Sequence, residues 1–224
     1  MMANLFSPFD PASICALSMN WFSSTISFLV IPAMYWLTPA RWISIWLLLM
    51  FQIHKEFKIL IKSPKYLGST LIFINLLVTI MINNFMGLFP YVFTCSSHLN
   101  FAMYLSVPLW MSFMIFGWTK NSIHMLAHLV PQGAPSALLP FLVIVETISN
   151  VIRPGTLAIR LTANMIAGHL LITLLSNAGP TLALTMLNFL VIAQILLLTL
   201  ESAVAMIQAY VFSILMTLYS SEVN

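Results

Sequence analysis

One stretch of the sequence decides the fold: RLTANMIAGHLLITLLSNAGP, residues 160–180. It is largely apolar, yet it begins with an arginine, which is followed by an asparagine at position 164 and a histidine at position 169. Ionisable side chains are costly inside a membrane and usually mark functional sites there. A guanidinium is the extreme case, because it cannot lose its charge at any accessible pH. The stretch therefore predicts a functional membrane helix that ends at the Gly-Pro pair, a strong helix breaker.

The rest of the chain is as apolar as this stretch. Its 224 residues are 61% hydrophobic and 6% charged, whereas soluble domains carry about 25% charged residues. We expect one integral membrane domain, residues 1–224, and no separate soluble domain. The N-terminus shows neither the basic region nor the cleavage site of a signal peptide. The chain is therefore expected to enter its membrane through its own spans.

Composition and motifs disfavour several classes of function. No basic stripe with interleaved aromatic residues is present, so nucleic acid is not an expected partner. Cys15 and Cys95 are too few for a zinc site. Motifs for metal binding, phosphate binding and hydrolysis are missing from the sequence. Only His169 lies deep in an apolar segment, so a haem with two histidine ligands is not expected. We predict no metal and no cofactor.

Apolar segments of about 20 residues, enough to cross a bilayer, predict an all-α membrane protein. Three simple spans are expected at residues 14–37, 67–89 and 99–118. Two longer segments, residues 136–176 and 181–219, lie on either side of the Gly-Pro break and complete about five membrane helices.

The two longer segments are too long to stand upright in a bilayer. Each has about 40 residues and would extend about 60 Å as a helix, whereas the hydrocarbon core is about 30 Å thick. We therefore predict two long antiparallel helices that form a strongly tilted hairpin. The pair Pro154-Gly155 is a candidate site for a kink in the first of them.

Lysines after the first span indicate how the chain is oriented. Residues 41–65 have an apolar run too short to cross, followed by Lys55, Lys58, Lys62 and Lys65. We favour an amphipathic helix on the membrane surface over the alternative of a solvated loop. These lysines fall on the same side as Lys120. The positive-inside rule puts that side and the C-terminus inside, and the N-terminus outside.

Seven polar residues of the hairpin form a candidate site: Glu146, Arg160, Asn164, His169, Glu201, Gln208 and Glu222. In an antiparallel hairpin, residues at equal depth have residue numbers that add to a constant. Three pairs meet this condition closely: Arg160–Gln208, His169–Glu201 and Glu146–Glu222. The register therefore predicts an acid pair at the inner end, an arginine layer in the middle and a histidine–glutamate pair towards the outside.

This order of charges is typical of proton transfer. A histidine beside a carboxylate is a natural proton relay, and two carboxylates can share a proton. A fixed positive charge between the two clusters repels a passing proton and attracts a carboxylate. The arrangement therefore favours two half-channels that do not connect directly.

Other interpretations remain open for single residues and for the whole chain. Arg160 alone could snorkel to the headgroups, His169 could be a structural interior histidine, and Glu222 could be solvated. Gln208 could serve only as a hydrogen-bonding residue between helices, and no role is assigned to Arg153. An ion-coupled transporter would also place charges at mid-membrane, but it should show two matching halves, and the sequence has no such repeat. A purely structural membrane subunit is the third alternative.

Three motifs are similar to those of subunit a of the F-type ATP synthase, in its mitochondrial form. They are NLFSPFDP near the N-terminus, RLTANMIAGHLL, and LLLTLESAVAMIQAYVFSILMTLY at residues 196–219. The resemblance covers nearly the whole chain. It implies that the hairpin lies beside a ring of c subunits and that the location is the mitochondrial inner membrane. The N-terminus would then lie in the intermembrane space and the C-terminus in the matrix.

The resemblance also implies a role for each site residue. Arg160 corresponds to the essential arginine that faces the c-ring. His169 and Glu201 correspond to the inlet half-channel, and Glu146 and Glu222 to the outlet half-channel. The two remaining polar residues, Asn164 and Gln208, correspond to residues beside the arginine. The implied partners are the c-ring, the peripheral stalk, other membrane-sector subunits and lipid, with the proton as the translocated ligand and ATP formed on other subunits.

Overall fold

The computed structural model describes residues 5–12, 18–32, 35–61, 68–130, 138–181 and 183–223, and no β-strand occurs in these ranges. The predicted all-α membrane fold is confirmed. Within the described ranges lie seven α-helices, which are α1 (Ile26–Val30), α2 (Arg41–Leu60), α3 (Ser69–Gly87), α4 (Leu99–Lys120), α5 (Ser122–His128), α6 (Leu139–Asn177) and α7 (Leu184–Val223).

Four of these helices, α3, α4, α6 and α7, are long and apolar enough to cross a bilayer. The first two match the predicted spans at residues 67–89 and 99–118 closely, although residue 67 itself lies outside the described residues. Helix α4 continues through Pro108 without a break. Hydropathy alone therefore located these two helices well, because a membrane helix must be apolar along its whole length.

The predicted span at residues 14–37 is not one regular helix in its described part, residues 18–32. A 3-10 helix, Met19–Thr25, leads into the short α1, and the chain becomes extended at Ile31. Pro32 disfavours helical geometry at the residue before it. The hydroxyls of Ser24 and Thr25 also bond to nearby backbone carbonyls, as such side chains do when they compete with helix formation. Four candidate spans, not five, occur in the described part of the chain.

Helix α2 corresponds to the predicted surface helix at residues 41–65, although Lys62 and Lys65 lie outside the described residues. Phe57 is its only buried residue among those described and belongs to the core. Near the same end, the Tyr210 hydroxyl of α7 donates to Glu56 Oε2 at 3.4 Å. The helix is therefore attached to the bundle through its C-terminal half. Its position on the membrane surface stays a prediction.

Helices α6 and α7 form the predicted hairpin, with a 3-10 turn at Gly179–Thr181 between them. Their ends differ by a few residues from the predicted segments 136–176 and 181–219. With 39 and 40 residues, each is about 60 Å long at 1.5 Å per residue. Helix α6 runs through Pro154 without interruption. The strong tilt remains a prediction that follows from this length and a hydrocarbon core of about 30 Å.

The core lies where α3 packs against α7 and α4 packs against α6. Two alanines of the hairpin, Ala158 and Ala209, are fully buried and belong to the central apolar cluster. Leu161 and Met216 lie beside them in the same cluster. Small residues let membrane helices approach closely, and this close packing is a main source of association in lipid. The buried alanines thus allow the hairpin and the other helices of the core to pack closely.

Replacing Ala209 by leucine is expected to destabilise the packed helices. Three extra carbons have no space at a fully buried position, and overpacking costs about 1–3 kcal/mol. The measurement is the thermal stability and yield of the assembled complex after detergent extraction. Ala193→Leu is the matched control, because Ala193 is exposed on the same helix. Equal stability of the two variants would contradict the packing described here.

Candidate functional site

His169 and Glu201 meet deep in the hairpin. His169 Nε2 lies 3.8 Å from Glu201 Oε1, and the Glu201 side chain is 4% exposed. The two residues come from different helices, and their contact fits the antiparallel register. Gly168 makes the approach possible, because a Cβ built at this position would lie 2.5 Å from Glu201 Oε1. The carboxylate therefore occupies the volume that a side chain at position 168 would need.

The His169–Glu201 pair has unused hydrogen-bonding capacity. In the described part of the chain, neither Glu201 carboxylate oxygen nor His169 Nε2 has a hydrogen-bond partner. Phe9 covers the imidazole from one side, with ring centroids 6.2 Å apart in an edge-on arrangement. Buried polar atoms without partners are rare and call for an explanation. The atoms of this pair therefore keep hydrogen-bonding capacity that no described residue uses.

At the other end of the hairpin, Arg153 links the two remaining acids. Its Nη1 donates to Glu222 Oε2 at 2.8 Å and its Nη2 donates to Glu146 Oε1 at 3.3 Å. The guanidinium also lies over the Tyr219 ring, 5.3 Å from the centroid. Glu146 and Glu222 are thus neighbours, as the register predicts, but an arginine lies between them. The expectation of a simple carboxylate pair is corrected by this bridge.

The Arg160 side chain is exposed and has no hydrogen bond or ion pair to any residue that the structure describes. Asn164 and Gln208 are partly buried. No hydrogen bond joins Arg160 to Gln208 within the described ranges. The two residues of the predicted middle layer are therefore not a hydrogen-bonded pair. The arginine lies instead on an uncovered face of α6, whose exposed residues are Thr156, Ile159, Arg160, Ala163, Ala167 and Leu171.

Three features near the site were not predicted from the sequence. Phe9 comes from the N-terminal 3-10 helix Ser7–Phe9, and no local signal connects it to His169. Asn84 of α3 is fully buried, and its amide donates to the Ala205 carbonyl at 3.4 Å, one turn after Glu201. An asparagine in an apolar span is itself a signal of function or packing, but the sequence does not reveal its partner. The bridge through Arg153 is the third.

The arrangement defines a class of protein. Two clusters of ionisable groups lie near opposite ends of a membrane hairpin, and a permanent cation is exposed between them. Such groups can bind and release protons but form no evident site for covalent chemistry. The fold and the site are typical of a membrane protein that takes part in proton transfer.

Comparison with known proteins specifies the family. The profile of the family described as "ATP synthase A chain" matches residues 15–221. The proteins named "ATP synthase subunit a" from Drosophila mauritiana and Drosophila melanogaster are 59% and 58% identical over 224 residues, which cover all of both chains. The protein of the same name from Locusta migratoria is 58% identical over the same length.

The chain belongs to the ATP synthase A chain family. It is a component of the membrane sector of that complex, with a role in proton translocation, and it is a multi-pass protein of the mitochondrial inner membrane.

Replacing Gly168 by alanine is expected to slow proton conduction by about a hundred-fold, the lower end of the scale for one lost general acid–base group. The added Cβ would collide with the Glu201 carboxylate and push it away from His169. The measurement is proton flux through the membrane sector of the assembled complex. Gly155→Ala is the control on the same helix, because a Cβ at position 155 meets nothing within 4 Å. If both variants conduct equally, the close approach of Glu201 has no functional importance.

Proposed function

We propose that this chain is the proton-conducting stator subunit of the membrane sector. Two offset half-channels carry protons to and from carboxylates on a ring of c subunits, and Arg160 prevents direct leak. His169 and Glu201 serve the inlet, and Glu146 and Glu222 serve the outlet. The subunit makes no covalent bond itself, and the ring turns as each carboxyl group gains and then loses a proton. Rotation is coupled to ATP synthesis on other subunits.

One observation carries this proposal: the two ionisable clusters are separated along the hairpin. Arg153 and His169 are 16 residues apart on one continuous helix, which is about 24 Å at 1.5 Å per residue. No hydrogen bond reaches that far. A proton at one cluster therefore cannot pass directly to the other, and the positive charge of Arg160 between them disfavours transfer along a chain of waters. A rotating neighbour that presents a carboxyl group can serve as a carrier.

The exposed Arg160 fits the place where the carrier would pass. A guanidinium at membrane depth is costly unless it is paired or reaches water, and no partner for it occurs among the described residues. A carboxylate on an adjacent subunit would pair with it. A carboxyl group must be neutral to turn into lipid, since burial of a charge disfavours the ionised form. The arginine thus favours proton release at the interface and excludes a free proton from the same space.

Small side chains support contact between α6 and a neighbouring helix. Ala163 and Ala167 lie on the uncovered face with Arg160, and small residues allow membrane helices to approach closely. We assign this face to the c-ring. The peripheral stalk and other membrane-sector subunits would contact the remaining surface, with lipid around them.

The lysine distribution supports one orientation. Lys120 ends α4, and the C-terminal half of α4 lines a cavity together with Arg153 and Glu222 of the hairpin. By the positive-inside rule this end of the hairpin faces the matrix. The C-terminus then lies in the matrix and the N-terminus in the intermembrane space. The His169–Glu201 pair opens towards the intermembrane space.

Replacing Arg160 by alanine is expected to abolish coupled ATP synthesis while the complex still assembles. The side chain is exposed and unpaired in the described chain, so its loss should leave the packing of this subunit intact. The measurements are ATP synthesis in energised mitochondria, the amount of intact complex, and proton leak through the membrane sector.

Arg41→Ala is the control, because Arg41 is an exposed arginine at the start of α2. It should leave synthesis near the unmodified rate. Unchanged synthesis and normal proton tightness in Arg160→Ala would refute the stator proposal.

Replacing His169 by alanine is expected to slow proton conduction most strongly when the intermembrane-space side is alkaline. Fewer protons are then available, so the loss of a relay group near the inlet becomes limiting. Glu201 remains as the acid that faces this position. The measurement is proton flux against pH on that side only. A flat ratio of variant to unmodified flux across the pH range would count against a relay through His169.

A further inference from the structure

Arg153 forms a three-residue charge bridge with Glu146 and Glu222, which we call the outlet bridge. Glu146 lies seven residues before Arg153 on α6, which is two turns and therefore the same helix face. Glu222 reaches the guanidinium from the last turn of α7. The planar guanidinium presents several donors in a fixed fork, so it can hold two carboxylates at once.

The charge of the outlet bridge leaves room for one proton. With both carboxyl groups ionised, one guanidinium faces two negative charges. One carboxyl group can take a proton while the guanidinium keeps an ionised partner in the other. Two ionised carboxylates without the guanidinium between them would repel each other. The arginine therefore makes a reversible one-proton site out of two acids.

A cavity beside the outlet bridge lies between the hairpin and helices α4 and α5. Its polar and titratable lining residues are His128, Asn150, Arg153, Tyr219 and Glu222. Helix α4 contributes Trp110, Phe113 and Met114 to the same wall, and none of these three titrates. In the described part of the chain, the groups that could exchange or influence a proton here are thus Glu146, Glu222, Tyr219 and His128, together with the fixed charges of Arg153 and of Arg160, which acts on Tyr219.

We propose that Arg153 is a positioning residue of the outlet half-channel. It holds Glu146 and Glu222 across the two helices as one site that accepts a single proton and releases it into the cavity lined by His128. This inference rests on the proposed proton path. A purely structural clamp between α6 and α7 is the alternative, because the same contacts also tie the two helix ends together.

Arg153→Gln in the assembled complex separates the two roles. We expect ATP synthesis to fall by about ten-fold, the size of one charge-assisted contact. The deficit should shrink as the pH on the matrix side is raised, because an alkaline medium draws off the proton that the unbridged acids retain. The measurements are the amount of intact complex and ATP synthesis against matrix-side pH. A clamp alone would lower the amount of complex and give a pH-independent deficit.

Two further variants make the test independent of folding. Arg153→Lys keeps the charge and should recover most of the unmodified pH profile. The double variant Arg153→Gln with Glu222→Gln removes one charge of each sign and leaves Glu146 as a single acid. Its ATP-synthesis deficit should therefore not shrink as the matrix-side pH is raised, unlike that of Arg153→Gln. If the pH profile of the double variant matches that of Arg153→Gln, or if Arg153→Gln synthesises ATP normally, the positioning role is overturned.

Two reference variants complete the design. Arg41→Gln is the matched control for the loss of an exposed arginine and should resemble the unmodified protein. Arg160→Ala is measured in the same preparation. Loss of synthesis in Arg160→Ala with a normal Arg153→Gln would overturn only the role of Arg153. Normal synthesis in Arg160→Ala would overturn the proton path as a whole.

Discussion

The structure depends on how permanent positive charges are held at membrane depth. Helix α6 carries two arginines, one with its charge paired and one with its charge unpaired among the described residues. Arg153 is enclosed by two carboxylates and an aromatic ring, so its charge is balanced within the chain. Arg160, two turns further on, has no such partner among the described residues and faces outwards. Because an unpaired guanidinium is costly in lipid, a neighbour that supplies negative charge on that face would offset the cost, as in the proposed stator role.

The hairpin keeps the differently paired ionisable groups apart. Two continuous helices of 39 and 40 residues separate the ionisable groups along their length while keeping them on one rigid support. The buried alanines hold the helices close, so that Glu201 lies against the backbone of α6 beside His169. Close packing of α6 against α7 and the placement of the His169–Glu201 pair therefore depend on the same contact. A looser hairpin would lose both.

The long helices and two of the three simple spans were predictable because hydropathy and a Gly-Pro break are local signals. The antiparallel register followed from the spacing of His169 and Glu201. The described part of the first predicted span, residues 18–32, is not one regular helix, because hydropathy does not register how Pro32 and the neighbouring hydroxyls disrupt a helix. The contacts of Phe9 and Asn84 join residues far apart in the chain, and no sequence period encodes such pairings. The bridging role of Arg153 needed side-chain geometry, since the register alone paired the acids directly.

The absence of a side chain at position 168 has a consequence for how this subunit can change over time. The space it leaves is filled by the acid at position 201, so the two positions share one volume across two helices. A bulkier residue at 168 requires either that the Glu201 side chain move away or that a shorter acid stand opposite it. Evolutionary drift at either site is therefore constrained by the other, and a tolerated exchange there should arise as a pair of compensating substitutions.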